Sequence, residues 1–233
     1  MSKLTAAVVT VTQGRDSLKR TLRSVKEQTY PCQHYVLFDN YPDHNIIFDK
    51  TILVCDWPTK IGTKEGAGQR WLAAAPHLIN EDVTFFCHDD DWFEPDHVES
   101  IMAEIERGYD WAYSFRNVYD EDGNFVCQDN CEALGEFHPV WNGEDHHFVD
   151  LCMWGMKTDV LKQISSIFSM PTLMADRLFY RNARALFPLM VGTGKYTLNF
   201  TLGGACGVKK EFFELGNAHI LQKFNGQLPW IET

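Results

Sequence analysis

The chain is 233 residues long, 45% apolar and 23% charged, and its 32 acidic against 21 basic side chains give a formal net charge of −11. That composition supports a sizeable core and excludes a disordered tail, and the acidic excess argues against a general nucleic-acid binder. No apolar run approaches a membrane span and Met1-Ser2-Lys3-Leu4-Thr5 lacks the apolar stretch of a signal peptide, so a cytoplasmic protein with no membrane partner is expected.

Ala6-Ala7-Val8-Val9-Thr10-Val11 is a short β-branched run of the kind buried in a parallel sheet. Asp16-Ser17 offers a cap to a helix in which Leu18, Leu22 and Val25 recur at helical spacing, until Tyr30-Pro31 stops it. Strands are expected at Tyr35–Phe38 and Thr51–Val54. Lys64 to about Ile79 reads as a helix with Trp71, Leu72, Ala75 and Leu78 on one face. Val83–Cys87 is a fourth strand, and Pro95 suits the first position of a helix whose core face is Val98, Ile101, Met102 and Ile105. Trp111–Phe115 opens another strand, and Val118-Tyr119 and Phe125-Val126 flank the turn-rich Asp120-Glu121-Asp122-Gly123-Asn124, a hairpin signal.

Beyond residue 128 the pattern is less regular. It offers a loop with Glu144-Asp145-His146-His147, helices near 158–168 and 174–187, and a strand near 195–201. Strand–helix–strand alternation at this spacing predicts an α/β class with a mostly parallel, mixed sheet flanked by helices and ligands at the carboxyl ends of the strands. With no internal repeat or linker, one domain over 1–233 with a C-terminal elaboration is expected. Of seven cysteines only Cys127 and Cys131 are close, with no second pair or His spacing to complete a zinc site, so reduced thiols are expected.

His88-Asp89-Asp90-Asp91 follows the fourth strand directly, where an α/β fold places its ligand. Three adjacent carboxylates repel one another unless a cation sits among them. Oxygen ligands favour a hard ion, Mg²⁺ or Mn²⁺, which bridges substrate phosphates. The same run also reads as an acidic, solvated turn before the helix at Pro95.

The segment Asp89-Asp90-Asp91-Trp92-Phe93-Glu94-Pro95-Asp96 resembles the acidic motif, aromatic and Pro-Asp of family 2 glycosyltransferases of the GT-A fold. Val8 through Arg15 is similar to that family's first strand and loop, and Leu18 through Gln28-Thr29-Tyr30-Pro31 to its first helix. Tyr35-Val36-Leu37-Phe38-Asp39 is similar to its second strand, and Gly66-Ala67-Gly68-Gln69-Arg70-Trp71 to the Gly/Ala-rich stretch that opens the next helix. The resemblance covers residues 5–127 well and the remainder loosely. It implies a nucleotide-sugar-binding half over 1–127 and an acceptor-binding half over 128–233. It also implies a donor, most simply a UDP-sugar, whose base meets Asp39 and whose diphosphate meets Arg70 or Lys64 near a helix start. Thr12, Arg15, Asp89 and Asp90 complete the implied donor contacts, with Asp90 near the ribose. Asp91, with Asp89, would ligate Mn²⁺ or Mg²⁺, a Lewis acid on the leaving group.

The same resemblance places a base at the start of a late helix. Leu173-Met174-Ala175-Asp176-Arg177-Leu178 is similar to its acidic signature, which makes Asp176 the expected catalytic base for inverting attack by an acceptor hydroxyl. Asp150 and Asp145 are rivals, and Asp176 also reads as a first-turn acid that complements the helix dipole. His88 stands where the family has an acid, and Asp39-Asn40-Tyr41-Pro42 departs from its usual acidic pair and Gly-Ser. No Gln-x-x-Arg-Trp motif is present, which argues against a processive synthase. Lys19, Arg23 and Lys26 share one helix face, and Arg177, Arg181 and Arg184 another. If both flanked the cleft, a phosphate-bearing acceptor such as a modified base in DNA would fit; Trp57, Trp92, Trp141, Trp154 and Trp230 would suit stacking on sugar rings equally well. A nucleotidyltransferase is disfavoured by the glycine-poor Gln13-Gly14-Arg15, and a non-catalytic sugar- or nucleotide-binding module stays open.

Overall fold

A computed structural model describes residues 3–39, 52–57, 68–137, 148–170, 172, 174–203 and 208–231. Along the chain, β1 (Ala6–Thr12) leads to α1 (Leu18–Lys26), β2 (Cys32–Asp39), β3 (Ile52–Trp57), α2 (Gln69–Ala74), β4 (Val83–Phe86), β5 (Trp92–Phe93) and α3 (His97–Glu106). There follow β6 (Trp111–Tyr119), β7 (Phe125–Gln128), β8 (Trp154–Lys157), α4 (Thr158–Ile164), α5 (Ala175–Leu186), β9 (Met190–Thr201) and α6 (Lys210–Lys223). The nine described strands form one mixed sheet in the order β3-β2-β1-β4-β8-β6-β9-β5, with β7 paired to β6.

Directions within the sheet decide where a site can form. β3, β2, β1 and β4 are mutually parallel. β8 lies antiparallel between β4 and β6, so β6 and its parallel neighbour β9 run with β1 again. The carboxyl ends of β1, β2, β4, β6 and β9 therefore share one edge, and the amino end of β8 joins them. One apolar cluster, from Ala6 to Trp230, draws on both ends of the chain.

Local chemistry explains where the expected elements shifted. Ser17 precedes α1 in helical geometry and makes no side-chain cap bond. The helix closes at Lys26 rather than at Tyr30, because the next residues dock elsewhere: Thr29 N–H donates to the Pro95 carbonyl and Gln28 to that of Glu94. The expected helix to Ile79 becomes the short α2 and a 3₁₀ turn at Ala75–His77 that contains Pro76. A 3₁₀ turn advances about 120° per residue instead of 100°. The core face rotates accordingly, burying Ile79 and leaving the expected core residue Leu78 53% exposed. Pro95 lies two residues before α3, while Val98, Ile101, Met102 and Ile105 are all buried as expected. The hairpin also forms, with Gly123 at φ +84° in its turn.

β5, β8 and α6 carry no clear period in the sequence. β5 is two residues long, and β8 is a four-residue run that starts in a tryptophan and includes Gly155. Gly155 lies where strand and helix press closest: an added Cβ would stand 2.5 Å from Phe85 Cε1 and 2.9 Å from Ile101 Cγ2. Gly155→Ala is expected to cost about 1–3 kcal/mol through overpacking, read as a lower urea midpoint with unchanged slope. A wild-type midpoint would refute that packing.

Candidate active site

Three adjacent parallel strands deliver the first part of the site. Thr12 ends β1, Asp39 ends β2, and His88-Asp89-Asp90-Asp91 follows β4. The Thr12 hydroxyl donates to Asp89 Oδ2 at 2.7 Å and accepts from the Gly14 N–H at 2.8 Å, which ties the loop after β1 to the acidic turn. Arg15 in that loop donates to Asp90 Oδ2 at 2.9 Å and lies 3.6 Å from Asp89 Oδ1. Asp39 is buried and accepts from the Trp71 indole N–H at 3.3 Å.

Asp91 is the most enclosed of the three acids. Its Oδ1 accepts the backbone N–H of Thr201, the last residue of β9, at 2.8 Å, and its Oδ2 faces His88 Nδ1 at 3.2 Å. Arg20 reaches from α1 to the Asp90 carbonyl at 2.8 Å and lies flat on Trp92, 3.6 Å from the ring centroid. The Thr21 hydroxyl donates to the Asp91 carbonyl at 2.6 Å. Burial raises the carboxyls of both Asp89 and Asp91 above the ordinary range, opposed by the Thr12 hydroxyl and Arg15 at Asp89 and by His88 at Asp91. Ligand-type atoms of His88, Asp90 and Asp91 lie within 4.8 Å of one another, so two hard carboxylates and one borderline imidazole can meet a single divalent ion. Asp89 is outside that group, turned toward Thr12 and Arg15.

The second part of the site comes from beyond residue 128. Asp150 caps the turn before β8, accepting from the Cys152 N–H at 3.0 Å, and Cys152 Sγ accepts from the His88 N–H at 3.2 Å. Asp150 and Cys152 also offer atoms within 4.8 Å of His88. Asp176 stands in the first turn of α5, half-buried, with the Arg177 N–H on its Oδ1 at 2.7 Å. Burial, and then the nearby Asp150 carboxylate, push its carboxyl up to about 6. Asp150 gives its other oxygen to Arg116 Nη1 at 2.9 Å.

Arg70 is exposed on α2. Lys64, Asn40-Tyr41-Pro42, Trp141 and Glu144-Asp145-His146-His147 lie outside the described residues, as does the Trp57 side chain. Lys19, Arg23, Lys26, Arg181 and Arg184 are exposed, while Arg177 is partly buried against Glu132. Trp154 and Trp230 are core residues; Trp154 stacks on Phe179 at 4.8 Å and offers no face to a sugar. Three site features carry little sequence signal: Arg20 lies between Lys19 and Arg23 on α1, Thr201 meets Asp91 through its backbone, and Arg116 joins partners 13 to 34 residues away.

This sheet order, with an acidic turn at the carboxyl end of β4, is that of the GT-A fold. Among solved structures, the chain is similar to S. aureus TarS 1–349, with a TM-score of 0.63 and 16% identity over 94% of this chain and 66% of that one. The UDP complex of the same fragment gives 0.64 and 18% identity, and its UDP-GlcNAc complex 0.64 and 16% identity, each over 94% of this chain, with 66% and 67% of theirs covered. The chain spans about two thirds of that fragment and 40% of the longer TarS chain. Identities this low establish a shared fold. No family model matches the chain, and no curated protein is similar to it in sequence. No helix among the described residues is long and apolar enough to cross a membrane.

Proposed function

We propose that the chain is a metal-dependent, inverting glycosyltransferase that moves a sugar from a nucleotide-sugar donor, a UDP-sugar, to an acceptor hydroxyl. One observation carries the reading: the edge that holds Asp39, Thr12 and the Asp89–Asp91 turn also brings Asp176, with its carboxyl raised to about 6, into the field of Asp150 beside His88. The likeness in fold to TarS, crystallised in complex with UDP and with UDP-GlcNAc, supports the donor class.

Residues 1–127 form the donor half and 128–233 the acceptor half of one domain. Asp39 meets the base, Thr12 and Asp89 brace the turn, and Arg15 and Arg70 serve the diphosphate; Lys64, outside the described residues, is given the same role from the sequence resemblance alone. Asp90 lies near the ribose. His88, Asp90 and Asp91 would hold Mn²⁺ or Mg²⁺, while Asp89 braces the turn against Thr12 and Arg15. The ion supplies positive charge against the leaving nucleoside diphosphate. Asp176 accepts the proton of the acceptor hydroxyl as it attacks the anomeric carbon from the face opposite the leaving group.

A thermal-shift screen of nucleotide sugars tests the donor assignment. With Mn²⁺, UDP-GlcNAc or another UDP-sugar at about 100 times its Kd should stabilise the fold by about 2.7 kcal/mol, a rise of roughly 5–10 °C in Tm. No rise with any nucleotide sugar refutes the donor class. A rise without any cleavage of the donor reduces the protein to a binding module.

A further inference from the structure

Arg116 sits in the middle of β6 and is 2% exposed, yet it carries a full charge. Its fork meets three carboxylates at once: Nε to Asp129 Oδ2 at 2.9 Å, Nη1 to Asp150 Oδ2 at 2.9 Å, and Nη2 to Glu132 Oε2 at 2.5 Å. The guanidinium also lies over Phe200, 4.4 Å from the ring centroid. Burial disfavours the charge, and the three carboxylates more than offset it, holding the guanidinium's pKa above the ordinary arginine value. Breaking a buried cluster of this kind is costly, and apolar replacement of a whole cluster is often neutral, so its retention calls for a reason besides stability.

Each carboxylate leads somewhere different. Asp129 is structural: Oδ1 accepts the N–H groups of Cys131 and Glu132, and Oδ2 that of Ala133, fixing the turn after β7. Asp150 leads to the acidic turn, through Cys152 to the His88 N–H. Glu132 leads to the base helix, because its Oε1 accepts from Arg177 Nη2 at 3.1 Å. Arg177 lies on Phe148, 4.1 Å from the ring centroid, and follows Asp176 in the first turn of α5. The path thus runs from the His88 N–H through Cys152, Asp150, Arg116 and Glu132 to Arg177, whose side chain meets Glu132 and whose backbone N–H meets Asp176.

We propose that Arg116 is a positioning residue for the reaction: it ties the start of α5, and with it Asp176, to the acidic turn after β4, and keeps Asp150 bound as a strut. A planar five-donor fork can hold three separate carboxylates in one arrangement, whereas a lysine ammonium offers a single point charge on a flexible stem. This inference rests on the glycosyltransferase reading for its kinetic consequence but not for its geometry.

Arg116→Lys keeps the charge and removes the fork. In that variant, UDP affinity in the presence of Mn²⁺ should stay within about threefold of wild type, while single-turnover cleavage of UDP-GlcNAc slows at least about 30-fold. In parallel, ¹³C NMR of the Asp176 carboxyl should show its titration midpoint displaced by about half a pH unit or more as Asp150 and Arg177 relax around it. An Asp176 midpoint that does not move in folded Arg116→Lys overturns the proposal, whether or not the wild type cleaves any nucleotide sugar. Cleavage that falls only in step with UDP affinity overturns it too, since Arg116 would then serve the donor side. Should Arg116→Lys fail to fold, Arg177→Gln cuts the same path at its partly exposed end. Losing the cation beside Asp176 must then move the midpoint upward and slow cleavage with UDP affinity retained; a wild-type midpoint and rate overturn the proposal.

Discussion

Replacing Asp176 by Asn should leave donor binding intact and lower the rate of sugar transfer by about 10²- to 10⁴-fold, the range general-base catalysis supplies. Asn preserves the shape of the side chain and removes only its ability to take up a proton. The pH profile gives a second reading. The carboxyl of Asp176 is raised to about 6 by burial and by Asp150, and only its ionised form can act as a base. The rate of the wild type should therefore rise with pH through about 6 and level off above it, and in the variant that limb should vanish. The raised value means that the fold disfavours the charged carboxylate, so Asp176→Asn should melt no lower than wild type at pH 8, and lost activity would not reflect unfolding. Undiminished turnover, or a limb that survives in the variant, would remove Asp176 from the mechanism.

Asp91→Ala should act one step earlier. Both carboxylate oxygens are engaged, one by the Thr201 N–H and one by His88, so the side chain is held in a single orientation beside Asp90 and His88. Its removal takes away a charged ligand and leaves the main-chain donor of Thr201 without its acceptor, a penalty of about 1–3 kcal/mol for the donor alone. Mn²⁺-dependent UDP affinity should fall by more than about 100-fold, measured by calorimetry with and without the ion. Metal-independent UDP binding through Asp39 should persist. Unchanged affinity in Mn²⁺ would show that the acidic turn holds no ion.

The two variants separate the halves of the site, and the sequence reveals those halves unequally. Strands β1, β2 and β4 and helix α3 are legible because buried parallel strands and amphipathic helices print their period on the chain. The acid run is legible because it follows an apolar run and strand ends are where ligands collect; Asp39 and Thr12 enter only through family resemblance. β8 escapes because Gly155 and Lys157 break up its apolar run, and α6 because Leu215 and Leu221 are exposed among its buried Phe213, Gly216 and Ile220. The Leu78 face failed for a different reason: Pro76 sits in a turn that changes the angular step of the helix, a tertiary outcome that composition does not encode. Asp176 is visible only through family resemblance, because a first-turn acid is ordinary helix chemistry. Arg116 is not visible at all. Its three carboxylates lie at separations with no local pattern, and only the folding of the later chain against β6 brings them together.

The bond from Thr201 to Asp91 bears on how this site tolerates change. The donor is an amide of the polypeptide itself, so nineteen of the twenty residues at position 201 would still present it, and proline alone would delete it. The orientation of Asp91 is thereby insulated from side-chain drift at the end of β9 and depends instead on strand alignment. An insertion or deletion of one residue within β9 would present a different amide, or none, to the carboxylate. The hold on Asp91 should accordingly be free in residue type and strict in length, whereas the Thr201 hydroxyl, which donates to the Asp90 carbonyl at 2.6 Å and accepts from Arg20 at 3.1 Å, ties residue type to the neighbouring acid.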